Sequence, residues 1–348
     1  MTLIDCDIHP GPPSTDDLAP YLDGYWREMA EIGGVDDLTL ATYKASLPRT
    51  MRKDWRAAMG DKVTLPGLQE HLLDPYGVEM AICNVVHAAS SLNNQYFAAA
   101  MCKATNDWLA REWLDRDARL RASIVVPVQE PTLAVEEIER IAAIDPRFVQ
   151  VLLPVAGDMP FGRRFFWPIY EAAQRHSLAV AIHPGGGVRF PHSYVGWHSY
   201  FAEDDYLQSG ILQGQLLSLL HEGVFAEFPD LTIVILESGL SWLMPFLTDA
   251  DNKWMALRRE VPWIEELPSE IIRRRCRFSV QPFHAPPEAA AEVLRMLGHE
   301  EMFLMATDFP HWQFDGTDPY PAGFSGGLRD RIAAENPLRT YPRLAREA

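Results

Sequence analysis

Four side chains that could bind a metal ion stand at the ends of short apolar segments of the chain. Asp7 and His9 end the segment TLIDCDIH, and His183 and Asp308 lie near the ends of LAVAIHP and MFLMATD. Residues two apart on a strand point to the same side, so Asp7 and His9 can face one point. Imidazole nitrogens and carboxylate oxygens together suit a divalent metal ion. The residue types and their spacing therefore predict a metal centre.

Each of these residues also has a simpler interpretation when it is taken alone. His183 could be a hydrogen-bonded core histidine, and Asp308 could cap the helix that follows it. The joint occurrence of suitable ligands on the first, fifth and eighth segments favours the metal site. Glu237 ends a further segment, LTIVILE, and could act as an acid or base or could orient His183 or an arginine.

Eight apolar segments of strand length must position these side chains. They are Thr2–His9, Glu79–Val86, Arg121–Val128, Phe148–Pro154, Leu178–Pro184, Leu231–Glu237, Cys276–Gln281 and Met302–Asp308. Helical patterns between them are Gln95–Leu114, Leu133–Ile144, Trp167–His176 and Pro286–Leu297. The segments are apolar throughout, which is typical of parallel strands covered by helices. An open doubly wound sheet is the rival fold, but the first strand is not followed by a GxGxxG motif. We predict an α/β fold, a (β/α)8 TIM barrel, whose site lies at the carboxyl ends of the strands.

The length of 348 residues suits one barrel domain over 1–348 with long insertions. The insertions are expected at about 11–74 and 188–223, after the first and fifth strands, and an extension is expected at about 314–348. Insertions of this kind usually cover the mouth of the active site. The candidates for substrate binding there are Arg49, Arg52, Arg189, His192, His198, His311 and Trp312.

The composition bounds the partners and the location of the protein. A net charge of −17 and the lack of a basic stripe disfavour nucleic acid and anionic membranes as partners. The four cysteines form no CxxC motif, which predicts buried, reduced thiols. No signal peptide or membrane-spanning segment is visible, so we expect a cytoplasmic protein that acts on a small molecule.

Four motifs, IDCDIHP, AIHPG, EFPDLTIVILESG and MATDFPHW, resemble the amidohydrolase superfamily, from residue 3 to about 315. They are most similar to the branch with aminocarboxymuconate semialdehyde, resorcylate and carboxyvanillate decarboxylases and some lactone hydrolases and hydratases. The resemblance implies that Asp7 and His9 form the ligand pair of the first strand. It implies that His183 is the ligand of the fifth strand, and that Asp308 binds the metal and shuttles a proton. It also implies a homodimer.

Two departures from that branch bear on the cofactor and the reaction. Asp7 replaces the histidine or glutamate of many members, which suits Mn²⁺ or Mg²⁺ without excluding Zn²⁺. The segment FVQVLLP has no lysine that could bridge two ions, so we expect one divalent ion: Zn²⁺ or Mn²⁺, or alternatively Mg²⁺ or Fe²⁺.

Glu237 stands where decarboxylases usually carry a histidine. Its presence favours hydrolysis by a metal-activated water, catalysed by Asp308, Glu237 and His183 on a small, aromatic or carboxylated molecule. Decarboxylation of an aromatic or muconate-like acid is the alternative, and a hydratase or a non-catalytic barrel is a distant one.

Overall fold

A computed structural model describes residues 2–35, 50–87, 89, 92–155, 159–185, 191, 196–283, 285–313 and 317–344. Eight parallel strands form one sheet, in which strands that are neighbours in space are also consecutive in the sequence. The strands are β1 (Ile4–Ile8), β2 (Met80–Cys83), β3 (Leu120–Val125), β4 (Phe148–Val155), β5 (Ala179–Pro184), β6 (Ile233–Ile235), β7 (Cys276–Ser279) and β8 (Phe303–Leu304). Each lies within or largely overlaps a segment predicted from the sequence.

Backbone hydrogen bonds between the first strand and the end of the last bring the two edges of the sheet together. Cys6 N donates to Met305 O at 2.9 Å, and His9 N donates to Phe309 O at 2.7 Å. The chain is therefore a (β/α)8 barrel, and the predicted fold class is confirmed. Its description as a single domain over 1–348 stays a prediction.

Helices surround the strands and also occur in the described parts of the two insertions. They are α1 (Thr15–Leu18), α2 (Gly24–Gly33), α3 (Lys53–Met59), α4 (Leu65–Leu68), α5 (Gln95–Leu109), α6 (Pro131–Ile144), α7 (Trp167–Arg175), α8 (Phe201–Tyr206), α9 (Gln208–His221), α10 (Val224–Glu227), α11 (Leu243–Leu257), α12 (Pro268–Arg275), α13 (Pro287–Leu297), α14 (Gly326–Asp330) and α15 (Asn336–Thr340). Short 3₁₀ segments are Ala19–Tyr21, Arg164–Phe166 and Glu300–Met302, and π-helical segments are Gln69–Leu73, Ala110–Leu114 and Arg331–Glu335. The four predicted helices are all present, whereas the helices of the insertions carried no sequence prediction.

Two apolar clusters hold the barrel together. The larger one lies between the outer faces of the strands and the helices. We call the smaller one the apolar interior; its members are Ile4, Cys6, Ile82, Val149, Leu152, Ala179, Ala181, Val234, Leu236, Leu304, Tyr341 and Leu344. The last two come from the carboxyl-terminal extension, whose Tyr341 is fully buried against the strands. The extension is thus part of the core of the barrel.

All four cysteines are buried and free, as their spacing predicts. Within the described residues, no helix is both long enough and apolar enough to cross a bilayer.

Candidate metal centre and active site

His183 continues the inward face of β5. Ala179 and Ala181 belong to the apolar interior, and His183 follows them at the same two-residue spacing. Its Nδ1 lies 2.6 Å from the carbonyl oxygen of Pro184. A carbonyl oxygen only accepts, so Nδ1 of the neutral ring carries the proton and Nε2 presents a lone pair.

Asp7 and His9 reach the same region from β1. The pairing of β1 with β2 shifts register between Asp5 and Ile8. Asp7 is fully buried and His9 is 7% exposed. The His9 Nδ1 atom donates to the backbone carbonyl of Asn84 at 2.9 Å, so its Nε2 faces the carboxylates. The predicted pair therefore lies on one side of the strand.

The potential ligand atoms converge on one point. His9 Nε2 is 3.1 Å from Asp308 Oδ1 and 3.5 Å from Asp7 Oδ1. His183 Nε2 is 3.9 Å from Asp7 Oδ2. The structure brings together all four residues that the sequence proposes as ligands.

Three of these buried atoms have no hydrogen-bond partner among the described residues: Asp7 Oδ2, His183 Nε2 and Asp308 Oδ2. Buried polar atoms are normally paired, because an unpaired one loses its hydration without replacement. A cation among two imidazole nitrogens and two carboxylate oxygens would satisfy all three. The residues present therefore fit a single divalent metal ion.

Asp308 and Glu237 share an uncommon backbone conformation. Their φ angles are 57° and 45°, in the left-handed region that non-glycine residues rarely adopt. Such strain is often found at functional sites, where the surrounding structure holds it in place. At Asp308 the backbone N–H donates to Asp7 O at 3.1 Å, which ties the strained residue to β1.

The charges of this cluster are strongly coupled. Burial lowers the pKa of His9, but Asp7 and Asp308 outweigh it and raise that pKa to about 10. Burial raises the pKa of Asp7 to about 6. Burial also raises the pKa of Asp308, but His311 and His9 outweigh it and lower that pKa to about 2. Burial, followed by repulsion from His9, lowers the pKa of His183 to about 3. Asp7 and Asp308 thus favour a positive charge on His9, whereas His183 is held neutral.

Glu237 lies at the edge of this cluster. Its Oε2 is 3.3 Å from His183 Nε2, and its Oε1 accepts from Gln313 Nε2 at 3.3 Å. Its backbone N–H donates to Ser279 Oγ at 2.9 Å, which fixes the end of β6 against β7. Burial, followed by the negative charge of Asp308, raises the pKa of Glu237 well above its usual range. Glu237 therefore sits beside the ligand set and can hold a proton there.

A small cavity opens over Glu237 and collects residues from both insertions. Its lining residues are Thr50, Pro184, Gly185, Phe201, Asp205, Gln208, Glu237, His311, Trp312 and Gln313. Described residues of both insertions therefore line this cavity, and the wider cover of the barrel mouth by the insertions stays a prediction. His311 and Trp312 line this cavity, and His311 Nδ1 also lies 2.6 Å from Asp308 Oδ1.

The other proposed substrate-binding residues are placed less directly. Arg52 forms two hydrogen bonds of 2.7 Å with the carboxylate of Asp54 and stacks over Trp55, so a role as a carboxylate clamp would require that ion pair to open. His198 is partly buried ahead of α8. The remaining three, Arg49, Arg189 and His192, lie outside the described residues.

Four polar residues at or beneath the site have no counterpart among the sequence predictions. Asn84, Ser123 and Gln150 are fully buried and joined by hydrogen bonds, and Gln313 contacts Glu237. The signal for the first three was a lone polar residue inside an apolar strand segment. We call Asp7, His9, Asn84, Ser123, Gln150, His183 and Asp308 the polar interior.

The fold and this site define a barrel with a buried centre for one divalent ion at the carboxyl ends of its strands. The Amidohydrolase family model matches residues 4–343, so the chain belongs to that family. A gamma-resorcylate decarboxylase from Polaromonas sp. strain JS666 is 23% identical over 223 residues, which is 60% of this chain and 67% of that protein.

Solved structures share the fold over nearly the whole chain. An amidohydrolase from Mycobacterium avium subsp. paratuberculosis K-10 has a TM-score of 0.72 at 19% identity, covering 97% of this chain and 98% of that one. A dihydroxybenzoic acid decarboxylase from Polaromonas sp. JS666, with bound manganese and the inhibitor 2-nitroresorcinol, has a TM-score of 0.71 at 18% identity, covering 98% and 97%. The chain is an enzyme of this superfamily, either a hydrolase or a carboxy-lyase.

Proposed function

We propose that the chain is a metal-dependent, non-oxidative decarboxylase of a small aromatic acid. The observation that supports it most is the cluster of potential ligands with three buried, unpartnered atoms, on Asp7, His183 and Asp308. His9 completes the proposed ligand set. The sequence alone favours hydrolysis, but the relatives named as decarboxylases of aromatic acids favour this reaction.

The reaction breaks the bond between the ring carbon and the carboxylate, leaves the electron pair on that carbon and adds a proton there as CO₂ departs. Asp7, His9, His183 and Asp308 would hold a divalent ion, which would supply positive charge for the substrate carboxylate. Glu237 lines the cavity beside His183 and is placed to deliver the proton. His311 lines the same cavity and contacts Asp308, which gives Asp308 a route for proton exchange.

Hydrolysis of a lactone or an aromatic amide is the second candidate. It is favoured by Glu237, which stands where decarboxylases of the resembling branch carry a histidine. In this reaction Asp308 would take the proton of the attacking water. The two reactions differ in their products, because only the first releases CO₂.

A substrate panel separates these candidates. The purified chain, loaded with Mn²⁺ or Zn²⁺, would be offered 2,6-dihydroxybenzoate, 5-carboxyvanillate, lactones and aromatic amides. We expect CO₂ release from an aromatic acid, lost on chelation and restored by metal. Opening of a lactone or amide without CO₂ release from any acid would contradict the decarboxylase and support the second candidate.

The role of Glu237 needs its own variant. Glu237→Gln should keep the metal and lower the rate of CO₂ release by about 10²- to 10⁴-fold, the usual contribution of a positioned acid. The matched control is Glu222→Gln, which changes a partly exposed glutamate near Arg163 and should leave the rate unchanged. If Glu237→Gln releases CO₂ as fast as the control, another group delivers the proton to the ring carbon.

We also propose a homodimer that works in the cytoplasm, as the family resemblance and the composition predict. Light scattering of the purified chain tests the first statement: a mass near twice 39.3 kDa is expected, and a monomer would contradict it. Fractionation of the cells that make the protein tests the second.

A further inference from the structure

We propose that Asn84 is a positioning residue that orients both Asp7 and His9 and thereby sets the affinity of the centre for a divalent ion. This inference rests on the proposed function, because it takes those two residues as metal ligands. Asn84 directly follows β2, and it contacts them through two different groups. Its Nδ2 donates to Asp7 Oδ1 at 2.8 Å, and its backbone carbonyl accepts from His9 Nδ1 at 2.9 Å.

These two contacts decide which atoms remain for a cation. The Asp7 Oδ1 atom is occupied by Asn84, whereas Asp7 Oδ2 is buried without a partner. In the neutral ring the proton of His9 is held on Nδ1, so the lone pair is on Nε2, which points toward Asp308. Asn84 therefore presents Asp7 through one oxygen and His9 through one nitrogen.

The side chain of Asn84 is itself held in one orientation. Ser123 Oγ and Gln150 Nε2 both donate to Asn84 Oδ1, the latter at 3.2 Å, and Gln150 Nε2 also lies 2.8 Å from Ser123 Oγ. Since Oδ1 accepts from these two donors, the amide NH₂ must face Asp7. All three side chains are fully buried, so water does not compete for these bonds. Loss of a residue that hydrogen-bonds to a metal ligand typically lowers the affinity for the metal by about 10- to 100-fold.

A purely structural role is the rival explanation, and the chain offers a matched control for it. Asn106 is also a fully buried asparagine, and its Nδ2 donates to Val125 O at 2.9 Å and to Glu137 Oε1 at 2.7 Å. Its Oδ1 accepts from Val125 N at 2.9 Å. These contacts join α5 to β3 and α6, outside the polar interior.

The test compares Asn84→Ala with Asn106→Ala. Mn²⁺ dissociation constants are measured by competition with a fluorescent chelator, the visible absorption of the Co²⁺-loaded proteins is recorded, and Tm is measured without metal. Both variants should unfold at a lower Tm than the wild type. Only Asn84→Ala should bind Mn²⁺ about 10- to 100-fold more weakly and change the Co²⁺ spectrum.

Equal Mn²⁺ affinity and an unchanged Co²⁺ spectrum in Asn84→Ala, with tight binding by the wild type, would overturn this inference alone. A wild-type chain that binds neither ion would overturn the proposed function together with it. If Asn84→Ala does not fold, Ser123→Ala takes its place, because it removes one donor to Asn84 Oδ1. A loss of about tenfold in Mn²⁺ affinity is then expected, at the low end of the same range, and an affinity equal to that of the wild type would contradict the role of Asn84.

Discussion

The apolar interior and the polar interior lie inside the same eight strands and are almost equally buried, yet they differ in how their atoms are satisfied. In the apolar interior the side chains pack against one another, with Tyr341 and Leu344 added from the carboxyl-terminal extension. The Tyr341 hydroxyl is buried there without a hydrogen-bond partner among the described residues. In the polar interior four buried atoms lack a hydrogen-bond partner among the described residues: Asp7 Oδ2, Gln150 Oε1, His183 Nε2 and Asp308 Oδ2. The first region is held together by packing, whereas in the second a cation would pair the three unpartnered atoms of Asp7, His183 and Asp308. Substitutions in the two regions should therefore have different consequences.

The largest effect is expected from Asp308→Asn in the polar interior. The change removes the negative charge of a proposed ligand, which His9 and His311 both contact, but it keeps the size of the side chain. Turnover should fall by at least about 10³-fold. Steady-state kinetics with added metal measures this loss, and circular dichroism confirms that the fold survives. Retained turnover would remove Asp308 from the reaction.

Leu304→Ala in the apolar interior should have the opposite signature. Leu304 is fully buried on β8, so the truncation leaves a cavity. Loss of a buried leucine side chain typically lowers the free energy of unfolding by about 2–5 kcal/mol. Chemical denaturation measures this value, and the metal content per folded chain should not change. A Leu304→Ala chain that loses its metal while its free energy of unfolding is unchanged would show that the apolar interior affects metal binding directly.

A smaller effect is expected from His87, a buried histidine outside both regions. Its Nδ1 accepts from Ala89 N at 3.1 Å, and burial lowers its pKa to about 4. Since the unfolded pKa is about 6.5, acid favours the unfolded chain, and this contribution to stability is lost as the pH falls from 6.5 toward 4. The metal-free chain should lose about 2 kcal/mol of unfolding free energy between pH 7 and pH 5 through this group.

The check is a His87→Gln variant that is denatured under the same conditions. Its unfolding free energy should depend on pH less steeply than that of the wild type, by that same difference. Parallel pH curves for the two proteins would show that His87 is not held neutral by burial.

The sequence predicted the strands and the four proposed ligands because both depend on local patterns. Apolar runs mark buried parallel strands, and the two-residue period of a strand places Asp7 beside His9. The partners of these residues depend on contacts between distant segments. Asn84 meets Asp7 across 77 positions, and Gln313 meets Glu237 across 76. Neither contact has a local signature.

The backbone conformation at the strand ends could not be predicted from the sequence either. The positive φ of Glu237 and Asp308 depends on the surrounding fold, because non-glycine residues adopt this conformation uncommonly. The choice of reaction shows the same limit. The identity of Glu237 alone points to hydrolysis, whereas its position over the cavity also suits a proton donor for decarboxylation.

Metal content measured on the wild type, His183→Ala and His176→Ala tests the central claim most directly. His176 is a partly buried histidine that contacts Glu139 on the outside of the barrel, so its replacement controls for the loss of an imidazole. After growth with Mn²⁺ and Zn²⁺, the wild type and His176→Ala should each hold about one ion per chain, and His183→Ala should hold almost none. A His183→Ala chain with the same metal content as the wild type, or a wild type that retains no metal, would contradict the account.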